Sequence, residues 1–134
     1  MPLLIPDVGE CEMLDCVLKD AAPEALTLKL YSNNYDAVEG SIAGNFTEVS
    51  GGGYAAKSLT RAGWNSASTA AGVSSSTYGT AQTWSFTGTV AVVGYFLVGT
   101  TSGTVYWAER LYAGAGQTFN NGDSLTVTPK ITLD

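Results

Sequence analysis

The chain predicts a mainly β protein, a jelly-roll-like β-sandwich with a short N-terminal helix, formed as a single domain over residues 1–134. Three observations point there. Residues 82–133 read as a series of short alternating or apolar segments separated by Gly-rich and Asn-Gly turns. A helical period occurs clearly in one place, near the N-terminus. Hydrophobic residues make up 45% of the chain, enough for a core at a length where roughly two thirds of the unfolded surface is buried on folding.

Residues 1–24 are expected to form an arm and the helix, and residues 25–134 the β body. Asp7 followed by Glu10 has the spacing of a capping box. Cys11, Leu14, Val17 and Leu18 then recur at helical spacing while Glu12, Asp15 and Lys19 are polar, so a helix is predicted from about Val8 to Lys19, stopped before Pro23. Leu26, Leu28 and Leu30 alternate with polar neighbours as a half-buried strand does.

Residues 36–81 are rich in small and hydroxyl side chains, with weakly signalled strands near Ala55–Leu59, Trp64–Ser68 and Ser76–Thr80. Leu59 and Trp64 are the expected anchors of this segment. Trp84 and Phe86 alternate with Thr83, Ser85 and Thr87. Val90 to Val98 is apolar on both parities, the pattern of a central strand covered on two faces. Val105 and Trp107 are expected on one face of the following strand. Asn121-Gly122 is a turn signal. Beyond it Leu125, Val127, Ile131 and Leu133 share a parity, and Pro129 favours an edge position.

The chemistry on offer is sparse. The chain has no histidine, two cysteines and 13% charged residues, which removes most routes to proton transfer, nucleophilic attack and metal binding. The net charge of −6 with six basic residues argues against nucleic acid. Nine of the twelve acids lie between Asp7 and Glu48, an acidic front suited to a partly basic partner or to a solvated surface. Val90–Val98 is far below the roughly 20 residues that span a bilayer. Met1–Pro6 lacks the basic start of an export signal, so synthesis in a reducing cytoplasm is expected.

Gly51 to Ser58, GGGYAAKS, nearly matches a phosphate-binding loop, but Ala56 stands where the second glycine belongs and no βαβ context is evident. A Gly-rich surface loop with a solvated Lys57 is expected instead. Cys11 and Cys16 lie on different faces of the helix, cannot approach as a disulfide requires, and are expected as buried free thiols. Glu109 and Arg110 project to opposite faces of a strand, and Glu109 is expected in a structural ion pair across strands. The tyrosines and tryptophans are expected as core or interface residues, with a carbohydrate platform as the rival.

Several strings together resemble small structural proteins of tailed bacteriophages, of the head-decoration or cement type. They are Leu26–Tyr35 (LTLKLYSNNY), Phe46–Thr60 (FTEVSGGGYAAKSLT), WSFTG at Trp84, Val92–Val98 (VVGYFLV), Val105–Leu111 (VYWAERL) and Phe119–Leu133. Pro6–Asp20 is similar to the short opening helix of that group. The resemblance implies a jelly-roll trimer seated over capsid junctions, bound to the major capsid protein, located in the virion and assembled in the host cytoplasm. It implies no catalysis, no cofactor, no metal and no small-molecule substrate. Pro2, Leu3, Leu4 and Ile5 are then the candidate segment reaching a neighbour; the other reading is a terminal strand folded onto its own domain. The alternative functions are a tail or baseplate component and a carbohydrate-binding β module. A hydrolase would need two carboxylates in one cleft.

Overall fold

A computed structural model describes residues 4–18 and 23–133. It is mainly β, with several antiparallel sheets and one short helix, α1 (Asp7–Leu18). The principal sheet has four strands in the order β2 (Lys57–Leu59), β1 (Leu26–Tyr31), β7 (Gly94–Gly99), β8 (Val105–Arg110). Leu4 extends it by an isolated bridge to Ala108 on the free side of β8. Three smaller sheets pair β3 (Ser68–Ala70) and β11 (Lys130–Leu133) with β4 (Val73–Thr77), β10 (Ser124–Val127) with β5 (Gln82–Ser85), and β6 (Val90–Val92) with β9 (Gln117–Phe119).

The principal sheet carries apolar side chains on both faces, as alternation along its strands requires. Leu28, Leu30, Tyr95, Leu97 and Trp107 face Trp84, Phe86, Val92, Phe119, Leu125 and Val127 from the smaller sheets. Tyr31, Phe96, Val98, Val105 and Ala108 face the other way, against Phe46 and Val93. In that second cluster Phe46 stacks on Phe96 at 4.7 Å and meets the Tyr31 ring edge-on at 5.1 Å. Leu59 is fully buried and Trp64 packs against the same cluster, so both expected anchors hold the irregular middle of the chain.

Four expectations need correction. The apolar run Val90–Val98 is not one strand. It divides at Val93, whose N–H donates to the Tyr31 carbonyl, so β6 and β7 enter different sheets. The C-terminal alternation also divides: buried Pro129 separates β10 from β11, and its carbonyl accepts the Tyr78 N–H, so no edge strand contains it. Val105 and Trp107 do not share a face. A bulge shifts the β7–β8 register between Leu97 and Val98, so Tyr106 joins Trp107 in the first cluster while Val105 falls in the second.

The fourth correction concerns the helix. Cys11, Leu14 and Leu18 of the expected apolar stripe all face solvent; the side chain of Val17 and the whole of Lys19 lie outside the described residues. The side turned toward the body is Gly9 and Met13, with Cys16 half-buried. Gly9 explains the choice. A Cβ there would stand 2.6 Å from the Tyr106 carbonyl oxygen and 2.8 Å from its Cα. The helix backbone thus lies directly on the bulged strand, an approach glycine alone permits. At its start the Asp7 amide donates to the Glu39 carbonyl, and the Gly9 and Glu10 amides both donate to the Pro6 carbonyl.

Candidate functional site

Several acidic side chains of the β body hold structure together. Tyr95 donates its hydroxyl to Glu109 at 2.5 Å across the β7–β8 ladder. The partner of Glu109 is therefore a phenol, which corrects the expected ion pair. Burial, and then the adjacent carboxylate, push the Tyr95 hydroxyl well above its ordinary titration range. Glu48 takes the Tyr54 hydroxyl at 3.0 Å and the Lys29 ammonium at 2.9 Å.

Glu24 accepts the Thr101 and Ser102 amides at 2.6 and 3.1 Å, together with the Ser102 hydroxyl, and so ties down the β7–β8 turn. Desolvation acts to raise its pKa, but these donors together hold it below the usual carboxylate range.

Arg110 commits all three guanidinium nitrogens to two loops. Nε donates to the Tyr112 carbonyl at 2.9 Å and Nη1 to Asp36 Oδ1 at 2.8 Å. Nη2 donates to Asn34 Oδ1 at 2.6 Å and to the Gly114 carbonyl at 2.9 Å. Each of four surface clefts is lined by at most one carboxylate: Asp36, Glu24, Asp123 or none. The paired-carboxylate geometry of glycoside hydrolysis is not assembled in any of them.

Gly51–Gly53 form a turn with positive φ at all three residues and lead into strand β2 rather than a helix. A phosphate-binding loop needs that helix. Lys57 lies 5.6 Å over the Trp84 ring, so it is half-buried rather than fully solvated. Cys11 is exposed and Cys16 half-buried, both as free thiols, which corrects their expected burial. Among the described residues no group of three or more potential metal ligands comes together, and no helix is long and apolar enough to cross a membrane.

The aromatic residues divide clearly from the aliphatic ones. All fourteen Phe, Trp and Tyr side chains are buried or half-buried. The large apolar side chains left in solvent are aliphatic: Leu14 and Leu18 on α1 are 57% and 76% exposed, and Val38, Ile42 and Leu133 are each more than half exposed. Beneath α1, facing the β3–β4–β11 sheet, runs a groove of about 270 Å³ lined by Met13, Leu26, Trp64, Tyr106, Trp107 and Ile131, with Arg61, Ser76 and Glu24 at its polar positions. Trp64 meets Trp107 edge-to-face at 5.6 Å. The Trp107 indole N–H is buried with no hydrogen-bond partner among the described residues, whereas Trp84 donates to the Ala55 carbonyl at 2.8 Å.

Of the four residues expected from the sequence to reach a partner, Pro2 and Leu3 lie outside the described residues. Leu4 exchanges backbone hydrogen bonds of 3.2 and 3.0 Å with Ala108, and Ile5 packs on the first apolar cluster. Both sit against their own domain. The groove, Arg61 and the exposed leucine face were not singled out from sequence. A signal for them existed: Gly9, Met13 and Cys16 also recur at helical spacing, which frees the leucines on the other side. Compared with known proteins, the chain matches no family model and no curated relative.

Proposed function

We propose that the protein is a non-enzymatic virion structural protein, a capsid decoration or cement subunit. In this reading it is a jelly-roll-like β-sandwich that forms homotrimers, binds the major capsid protein and stabilises the shell by added subunit contacts. The observation that carries the reading is the exposed aliphatic surface on α1 and the adjoining loops, set beside carboxylates already committed to internal bonds. Large apolar side chains held in solvent on one helix face offer surface for association. Added contacts stabilise an assembly because dissociation must break them as well. Glycan binding on a tail or baseplate calls for rings laid open to solvent, and every Phe, Trp and Tyr here is buried or half-buried.

The test is co-sedimentation of the purified protein with assembled shells, followed by heating of bare and decorated shells. Binding at a fixed stoichiometry that raises the temperature of shell rupture is the expected result. A chain that ignores shells, or that appears in only a handful of copies by mass spectrometry of intact particles, contradicts the decoration role.

A further inference from the structure

We infer that Asn121 is a site of spontaneous covalent modification, conversion to isoaspartate and aspartate, which the fold holds in check through the main-chain nitrogen of Gly122. The inference is independent of the decoration reading and holds whether or not that reading does. Asparagine is a thermolabile residue, and Asn121 is the one asparagine in the chain followed by glycine. The others precede Asn, Tyr, Phe or Ser, whose side chains crowd the nitrogen that must attack.

The reaction needs water and no other partner. The Gly122 nitrogen loses its proton to solvent and bonds to Asn121 Cγ. The Cγ–Nδ2 bond breaks, and Nδ2 leaves as ammonia with a proton taken back from solvent. A five-membered imide remains. Water then adds to one of its two carbonyls, opening the ring to aspartate or to isoaspartate, in which the main chain runs through the former side chain. Nothing is oxidised or reduced.

Steric shielding does not protect the site. Asn120, Asn121, Gly122 and Asp123 are all exposed, and a Cβ on Gly122 would have nothing within 4 Å. Protection comes from conformation, in two ways. First, the Asp123 amide donates to the Asn120 carbonyl at 3.0 Å, and Gly122 has a φ of +93° while that of Asn121 is not positive. This is a type II turn, whose first central residue has ψ near about +120°. At that ψ the Gly122 nitrogen points away from the Asn121 side chain, and ring closure requires rotation about the Asn121 Cα–C bond.

Second, the same nitrogen donates to the Phe86 carbonyl at 2.8 Å, while the Phe86 amide donates to the Asp123 carbonyl at 2.8 Å. Gly122 and Asp123 thus oppose Phe86 as a bulge with glycine in the left-handed region. Phe86 is buried in the first apolar cluster, so the core fixes the acceptor that holds the nucleophile. Attack proceeds from an opened turn in which Gly122 has released Phe86. The product closes less well: isoaspartate lengthens the main chain of the turn by a methylene. Either product also sets a second carboxylate beside Asp123, which already accepts the Asn120 amide at 2.8 Å.

The test incubates the full chain in mildly alkaline buffer, folded and in urea, and locates isoaspartate by peptide mass spectrometry and an isoaspartate-specific methyltransferase. In urea Asn121 is expected to convert before any other asparagine. In the folded chain its conversion should be at least about tenfold slower, because opening breaks two main-chain hydrogen bonds of the turn together. Amide exchange of Gly122 in the folded chain is the independent measurement. Its protection factor should match the slowing within about threefold, since both processes wait for the same nitrogen to leave Phe86. Asn121→Gln, whose longer side chain closes a ring far more slowly, should abolish the signal. A folded chain that converts as fast as the unfolded one, earlier conversion at another asparagine, or slowing without protection of the Gly122 amide overturns the inference.

Discussion

Replacing Arg110 by lysine should cost far more stability than neutralising its ion-pair partner, because the guanidinium works chiefly on uncharged acceptors. The Arg110 side chain is 10% exposed and Asp36 is 58% exposed. An ion pair with one partner that open is worth about 0.2–1 kcal/mol. The other three bonds go to the Tyr112 and Gly114 carbonyls and to the Asn34 amide oxygen, which anchor the loops after β1 and β8. A hydrogen bond to a charged group contributes about 1.5–3 kcal/mol, and a lysine ammonium lacks the planar fork that reaches several acceptors together.

Losing two such bonds, discounted because loop carbonyls can turn to water, gives about 2–3 kcal/mol for Arg110→Lys. Asp36→Asn should cost at most about 1 kcal/mol. For a chain of this size these correspond to falls in Tm of roughly 10 °C and 3 °C. Thermal unfolding by circular dichroism, at low and at high salt, measures both. The Arg110 effect should persist in salt, whereas the Asp36 effect should shrink with screening. Equal losses from the two variants, or an Arg110→Lys loss that vanishes in salt, would refute the claim that loop anchoring dominates.

Two further outcomes follow from the packing and the charges. Gly9→Ala should gain about 1 kcal/mol of helix propensity yet destabilise overall. The new Cβ meets backbone at 2.6–2.8 Å, and overpacking against groups that cannot move aside costs about 1–3 kcal/mol. Gly44→Ala, with nothing within 4 Å of its Cβ, is the neutral control in the same denaturant titration. Glu24 should make the β7–β8 turn sensitive to acid. Its folded carboxyl titrates lower than the unfolded one, so its contribution is complete above about pH 4.3 and is lost as pH falls through the folded value. Relative to the intrinsic exchange rate at each pH, protection of the Thr101 and Ser102 amides should fall over that acid range in wild type, and should be low and insensitive to pH in Glu24→Gln.

The core positions were readable because strand side chains alternate whatever the partner strand. Leu28 and Leu30, Trp84 and Phe86, and Leu125 and Val127 are all buried as their parity indicates. The site was not readable in the same way. Two stripes of α1 have helical spacing, and apolarity favoured the leucines over Gly9, Met13 and Cys16. The choice between them turned on a backbone-to-backbone approach at Tyr106, which no local pattern encodes.

By itself the sequence determined a mainly β chain, its N-terminal helix and most of its buried residues, since propensity, period and turn chemistry act over a few neighbouring residues. Tertiary structure decided which sheet each strand joined, where Val93 and Pro129 divide continuous apolar patterns, and which donor Glu109 found. It also decided, through the bulge at Tyr106 and the bare backbone of Gly9, that the leucine face of α1 would look outward. The reason is one of range: pairing and docking are set by hydrogen bonds and close contacts between residues far apart in the chain.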